Sequence, residues 1–248
     1  MMNLVLIEWL KLKGLRTFKV ILILYAVLLP LFFYSLSGIP LFKYFYSDVI
    51  YAFPKVYHYV TYISSFFNLI LGVIIILFTC NEIKYKTQRQ NMIDGLSKKE
   101  MILSKFYVIL LMSIVVTLYA FLVAFCFGMS TSSTEYFEGV RYIGFYFIST
   151  FGYFIFAFFL ANLLKNSSLT IVIYLLSSFI ESIIGMGLVS KEFSQFLPLN
   201  TFSNLIPMPI IPDGFEYMMT EIQRASLGFG YGLCFVVIAY IILSRRDV

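Results

Sequence analysis

The side chains that most often carry chemistry are few in this chain and poorly spaced to act together. It has one histidine, His58, and three cysteines, Cys80, Cys126 and Cys234, with no Cys-x-x-Cys or other metal-ligand spacing. No metal site is expected from them. No Gly-x-x-x-x-Gly-Lys-Ser/Thr phosphate loop occurs. Gly228, Gly230 and Gly232 imitate a dinucleotide fingerprint, but they lie in an uncharged apolar run with no acidic residue about 20 positions further on. Gly228-x-x-x-Gly232 reads instead as a small-residue face for close helix packing. Asn166-Ser-Ser168 fits a glycosylation sequon, but it reads better as the cap of a helix starting there.

One side chain stands where a charge is expensive. Glu181 is the single charged residue between Asn166 and Ser190. An ionisable group at membrane depth is a functional hypothesis by default. It could line a translocation path, with Asn68 as a second candidate, or pair with a polar group on the outer side. The plainer reading is a carboxylate in the outer third, hydrated through a local defect or capped by a re-entrant segment.

The elements around these residues are set by where charge is missing. The chain has 18 Lys and Arg and 13 Asp and Glu in 248 residues. Val20–Phe42, Tyr59–Asn81, Phe106–Thr134, Tyr142–Leu164 and Ala225–Ser244 carry none. A spanning helix needs about 20 apolar residues, so these five and Asn166–Ser190 make six expected spans, at about 20–38, 59–81, 104–128, 142–164, 168–190 and 225–244. The composition agrees: 60% hydrophobic and 12% charged, against about 45–50% and about 25% in a soluble domain. The fold class is all-α and polytopic, one transmembrane domain over 1–248.

Orientation follows from the bases. With the N-terminus inside, Lys43, Lys55, Arg141, Lys191 and Arg224 are the only outer bases, and the other 13 of the 18 face the cytoplasm. The positive-inside rule therefore places both termini in the cytoplasm. This sorting by side also means that the pI of 9.0 is no argument for nucleic acid. His58 falls at the outer end of the second span, as an interfacial residue. Residues 1–18 are too charged to span and too apolar to float free. They are expected to form an interfacial helix, with Lys11, Lys13 and Arg16 snorkelling while Trp9 and the leucines dip in.

The inner loop Asn81–Lys105 reads as a helix, a stop and a new helix. Glu82 to Asp94 would continue the second span into the cytoplasm. Gly95 would take the left-handed conformation that ends it. Ser97 and Glu100 have capping-box spacing and start the next helix. Lys191–Arg224 holds Pro198, Pro207, Pro209 and Pro212 among short apolar runs. Such pieces suit re-entrant or interfacial segments rather than spans.

At this point the chain resembles the permease subunits of ABC-2 type ATP-binding-cassette transporters. The resemblance rests on Glu8-Trp9-Leu10-Lys11-Leu12-Lys13 leading into the first span. It rests also on the loop Glu82…Thr87-x-Arg89…Asp94-Gly95-Leu96-Ser97-x-x-Glu100…Lys105, and on Phe196–Ile206 before the last span. It implies a cytoplasmic coupling helix seated in a cleft of an ATPase subunit, for which Gln88, Arg89, Gln90, Asn91, Met92, Ile93, Asp94 and Gly95 are the candidate contacts. It implies re-entrant helices before the last span and a second permease subunit, a homodimer being favoured over a heterodimer. No cofactor is expected on this chain; ATP and Mg would sit on the partner ATPase. The implied function is export of an amphipathic or lipophilic substrate across a bacterial cytoplasmic membrane. The competing classes are a membrane-embedded enzyme, for which no paired carboxylates or Ser–His set is present, and a non-transporting immunity or sensor protein.

The charge distribution gives a direct test. With cysteines introduced singly, Ser47→Cys and Ser132→Cys are expected to react with an impermeant thiol reagent from outside intact cells. Ser97→Cys and Ser167→Cys should react only after the membrane is opened. Labelling at Ser97 from outside would overturn the six-span arrangement.

Overall fold

A computed structural model describes residues 2–35, 50–93, 95–129, 136–187, 191–209 and 219–245. Among them the regular elements are all helices: α1 (Met2–Gly14), α2 (Arg16–Ser35), α3 (Lys55–Lys84), α4 (Thr87–Ile93), α5 (Lys98–Gly128), α6 (Arg141–Leu164), α7 (Ser167–Gly187), α8 (Lys191–Ser194), α9 (Pro198–Ser203) and α10 (Glu221–Ser244). Six of these, α2, α3, α5, α6, α7 and α10, are long and apolar enough to cross a membrane. The protein is thus an all-helical polytopic membrane protein. The helices α3 and α5 have 30 and 31 residues. At about 1.5 Å per residue each is longer than a hydrocarbon core of about 30 Å.

Pairs of helices differ in how they are solvated. α3, α5 and α6 form the centre, and α2, α7 and α10 pack around them with most of their side chains outward. A helix apolar all round has no amphipathic stripe to decide its inward face. Polar and small residues make that choice here. Asn68 on α3 is fully buried; its Oδ1 accepts from the Thr150 hydroxyl of α6 at 3.1 Å, and its Nδ2 faces Ser149 Oγ at 3.5 Å. Tyr25 of α2 reaches Ser64 of α3 and Tyr146 of α6, hydroxyl to hydroxyl at 3.4 and 3.3 Å. The Tyr174 hydroxyl of α7 donates to the Asn68 carbonyl at 3.2 Å. These bonds satisfy groups that lipid would leave unpaired, and each fixes one helix against the next.

Three glycines receive rings. A Cβ on Gly72 would overlap the Tyr174 hydroxyl, one on Gly128 the Phe53 ring, and one on Gly152 the Phe202 ring. Gly152 lies near the middle of α6, so Phe202 carries α9 to about that level.

The N-terminal helix is built for a membrane interface. Glu8 and Leu12 face the bundle, buried, while Leu6, Ile7 and Leu10 are exposed. A glutamate is inside beside Leu12 while two leucines and an isoleucine are out, unlike a soluble helix, which would bury all its apolar residues before an acid. Lys13 and Arg16 are exposed, as snorkelling requires. Lys11 does not snorkel: its ammonium is drawn back to Glu8 and Glu82. The helix that carries the first expected span begins at Arg16, a turn before residue 20, and accommodates Pro30 inside it. The second span does not run on to Asp94. It ends at Lys84, because Lys86 takes a left-handed conformation with φ of 55° and the chain turns into a separate helix, α4.

The ring-in-glycine contacts should govern stability. Gly152→Ala and Gly72→Ala are each expected to cost about 1–3 kcal/mol, the usual penalty for overpacking. At Gly228 a Cβ would meet its nearest neighbours at 3.6 Å, ordinary contact, so Gly228→Ala should be near neutral. Thermal unfolding in detergent, read for the three variants side by side, checks the order.

Candidate functional site

The end of the bundle that carries α4 is the first candidate region. The turn Tyr85–Lys86 closes α3, with the Tyr85 amide donating to the Asn81 carbonyl at 2.9 Å. Thr87 opens α4, and its hydroxyl donates to the Glu82 carbonyl at 3.3 Å. Gly95 ends the turn with φ of 95°, a conformation that costs glycine little and a β-branched residue much. Ser97 then caps α5: its hydroxyl accepts from the Glu100 amide at 3.2 Å, and the Glu100 carboxylate accepts from the Ser97 amide at 3.0 Å. A seven-residue helix held between a left-handed turn and a capping box has little freedom of its own.

The candidate contact residues fall on different sides of this helix. Ile93 is 71% exposed. Gln90 and Gly95 are also exposed, and Asn91 is half-buried. Gln88 turns inward, and its amide nitrogen finds no hydrogen-bond partner among the described residues. The side chains of Arg89 and Met92, and the whole of Asp94, lie outside the described residues.

Beneath α4 lies a cluster that the sequence reading did not assemble. Lys105, on the second turn of α5, is buried and pairs with Glu8 of α1 at 3.2 Å and with Glu82 of α3. Lys11 of α1 pairs with Glu8 at 2.8 Å and Glu82 at 3.4 Å. The Lys105 ammonium also sits 4.5 Å from the centre of the Phe78 ring. Burial pushes the Glu8 carboxyl up, but Lys105 and Lys11 outweigh it and hold the group below its usual 4.5. Burial pulls Lys11 down, yet its bonds to Glu8 and the charge of Glu82 leave it above 10.5. Glu8 therefore stabilises the fold fully above its unfolded value and loses that as pH falls through its lowered one. Lys11 contributes fully below its unfolded value and loses that as pH rises through its raised one. Removing one member of such a buried set strands a charge, at about 3–5 kcal/mol. Glu8, Glu82 and Lys105 were visible in the motifs. Their partnership was not, since 97 residues separate Glu8 from Lys105.

The second region is the segment before α10. The N-cap residue of α9 is Leu197, which has no side chain to cap with, and Pro198 has no amide hydrogen. The orphan amides of Leu199 and Asn200 donate instead to Glu181 of α7, at 2.9 and 3.0 Å. At the other end the Asn204 carbonyl accepts from the Arg224 guanidinium of α10. A carboxylate thus meets the positive end of α9 and a guanidinium the negative end. Nearby, His58 Nε2 bonds the Pro207 carbonyl at 2.8 Å, and its ring stacks on Tyr142 at 4.0 Å.

The other candidates are dispersed. Gly228 and Gly232 lie on the face of α10 turned to α6, where an added Cβ would meet Ile148 and Phe151 respectively, each at 3.6 Å. Asn68 is enclosed among α3, α6 and α7, well away from Glu181's contacts with α9. Asn166 caps α7 by accepting from the Ser168 amide at 3.1 Å. Cys80 is buried, while Cys126 and Cys234 are exposed, and all three are free thiols. Among the described residues no group of three or more His, Cys, Asp or Glu side chains is placed to hold a metal ion.

Six helices long and apolar enough to span, with a short helix fixed at one end of the bundle, define a polytopic helical membrane protein. A family model described as ABC-2 family transporter protein matches residues 4–188, and the chain belongs to that family. It is accordingly a permease subunit of an ABC transporter, with an ABC ATPase as its partner. No curated protein matches the chain significantly.

The capping role of Glu181 is testable on its own. Glu181→Leu leaves two amides without an acceptor and should destabilise the segment 195–204 by about 1–3 kcal/mol. Glu181→Gln keeps an acceptor and should cost less. Hydrogen exchange at Leu199 and Asn200 reads the difference; equal protection in the two variants would remove the cap.

Proposed function

We infer that the subunit exports an amphipathic or lipophilic molecule, pairing with a second six-span subunit, most simply its own copy. Two ATPase subunits bind below. The termini and α4 face the cytoplasm, a placement supported by the 13 of 18 bases that it puts on that side, and the membrane is the bacterial cytoplasmic membrane. Closure of the ATPase dimer pushes on α4, and the substrate leaves between the two permeases. Glu181 and Asn68 keep their place as candidates for the path, although both have bonds within the subunit that such a role must share. The short helices α8 and α9 serve as the re-entrant part, consistent with the depth that Phe202 reaches beside Gly152. A lipophilic cargo suits a chain with 28 Phe and 19 Tyr.

The observation that carries this reading is α4 itself. It is short, bounded on both sides by fixed backbone, and it turns an isoleucine outward from a polar loop. An exposed apolar residue on a rigid polar helix fits a groove on a partner, and a pushed rigid element passes the push on where a slack loop absorbs it.

Ile93→Asp should reduce co-purification of the ATPase at least tenfold while the permease still inserts. Phe137→Asp is the control; Phe137 is equally exposed but lies in the loop before α6, at the far end of the bundle. Equal loss of ATPase from both variants would overturn the assignment of α4.

A further inference from the structure

Lys105 is the most constrained charge in the subunit. It is buried on α5 and joins α1 to α3 through two carboxylates. Glu82 divides its oxygens between Lys105 and Lys11, and its carbonyl takes the Thr87 hydroxyl at the start of α4. Bonded contacts therefore run without a gap from α4 through Glu82 to Lys105 and Lys11, and from both lysines to Glu8 on α1. Two acids and two bases balance, so the set needs no outside ion. Drawing α1 away would leave a neutral pair on each side, Glu8–Lys11 on α1 and Glu82–Lys105 on the bundle, but would break both bridges between them, Lys105–Glu8 and Lys11–Glu82. At the other end of the set, α1 presents Leu6, Ile7 and Leu10 outward and joins α2 at Leu15, the one non-helical residue between them.

We propose that Glu8, Lys11, Glu82 and Lys105 form a joint that makes α1 move with α4, so that displacement of α4 by the ATPase is delivered to the interfacial helix and through Leu15 to α2. The four are positioning residues: they touch neither nucleotide nor substrate. The inference rests on the reading of α4 as the ATPase contact. It adds that the stroke has a second output, in the plane of the membrane surface, besides the direct one along α3 and α5. Such a coupling claim requires an element whose position both ends bias, and α1 is that element.

The chain supplies its own reporter. Trp9, its single tryptophan, lies on α1 with its ring edge-on to Phe18 of α2 at 6.0 Å. The whole permease, reconstituted with its ATPase in liposomes containing brominated phospholipid, would be followed by tryptophan fluorescence before and after ATP with vanadate. Bromine on acyl chains quenches tryptophan at the membrane and spares that of a soluble partner. Wild type should show a nucleotide-dependent change in Trp9 quenching. Glu8→Gln combined with Lys11→Met, which cuts both bridges from α1 and keeps the Lys105–Glu82 pair, should abolish that change while the ATPase stays bound and still hydrolyses ATP, and Lys105→Arg should keep it. Glu8→Gln alone keeps the Lys11–Glu82 bridge and should reduce the change without abolishing it; it serves where the double variant fails to fold. A change of wild-type size in the double variant, or in Glu8→Gln where the double variant does not fold, or a wild type whose Trp9 ignores nucleotide although the bound ATPase turns over, overturns the joint and leaves the function standing. An ATPase that does not bind the wild-type permease, seen by pull-down beforehand, overturns the function and the joint together.

Discussion

A lysine ammonium held out of water has to be paired, and the position of Lys105 makes the rest of the end of the bundle that carries α4 follow from that need. Its neighbours are fixed by charge rather than by shape. Glu82 comes from the last turn of α3 and Glu8 from a helix that would otherwise have little reason to lie where it does. Apolar contact alone holds a leucine-rich interfacial helix poorly, since lipid offers the same contact. The ion cluster gives α1 one address on the bundle. It also explains why α1 buries an acid while Leu6 and Leu10 stay exposed.

Farther into the bundle the same logic recurs with uncharged groups. Lipid competes with every leucine and phenylalanine of α2, α7 and α10, so burial gives little preference among rotations of a helix. Asn68 with Thr150, Tyr25 with Ser64 and Tyr146, and Tyr174 with the Asn68 carbonyl supply the missing preference. Glycines 72, 128 and 152 then act as sockets that accept one ring each. Specific bonds set rotation, and sockets set depth.

How much of this the residues disclose beforehand depends on distance along the chain. The six spans were legible because a bilayer enforces about 20 uncharged residues in a row. The Ser97–Glu100 box, the left-handed Gly95 and the Asn166 cap were legible because their partners lie within five residues. The turn at Lys86 was hidden, since a left-handed lysine carries no sequence mark. The ion cluster was hidden for another reason. Basic residues near an inner membrane surface are read by default as orientation signals, and that reading absorbed Lys11 and Lys105. Glu181 shows the limit from the other side. Its burial marked it, but an acceptor for two amides 18 and 19 residues away cannot be told from a path-lining carboxylate without coordinates.

The short helix α9 has a consequence for how the bundle can deform. Its two ends are held by opposite charges that belong to two different long helices, Glu181 of α7 and Arg224 of α10. It works as a rung between them. Small tilts of α7 and α10 that keep their spacing leave both ends of the rung engaged. A change in spacing pulls one end free, exposing either two amides or a guanidinium to a neighbourhood with little water. The separation of these two helices is thus not graded: it has a stop, set by the length of a six-residue helix.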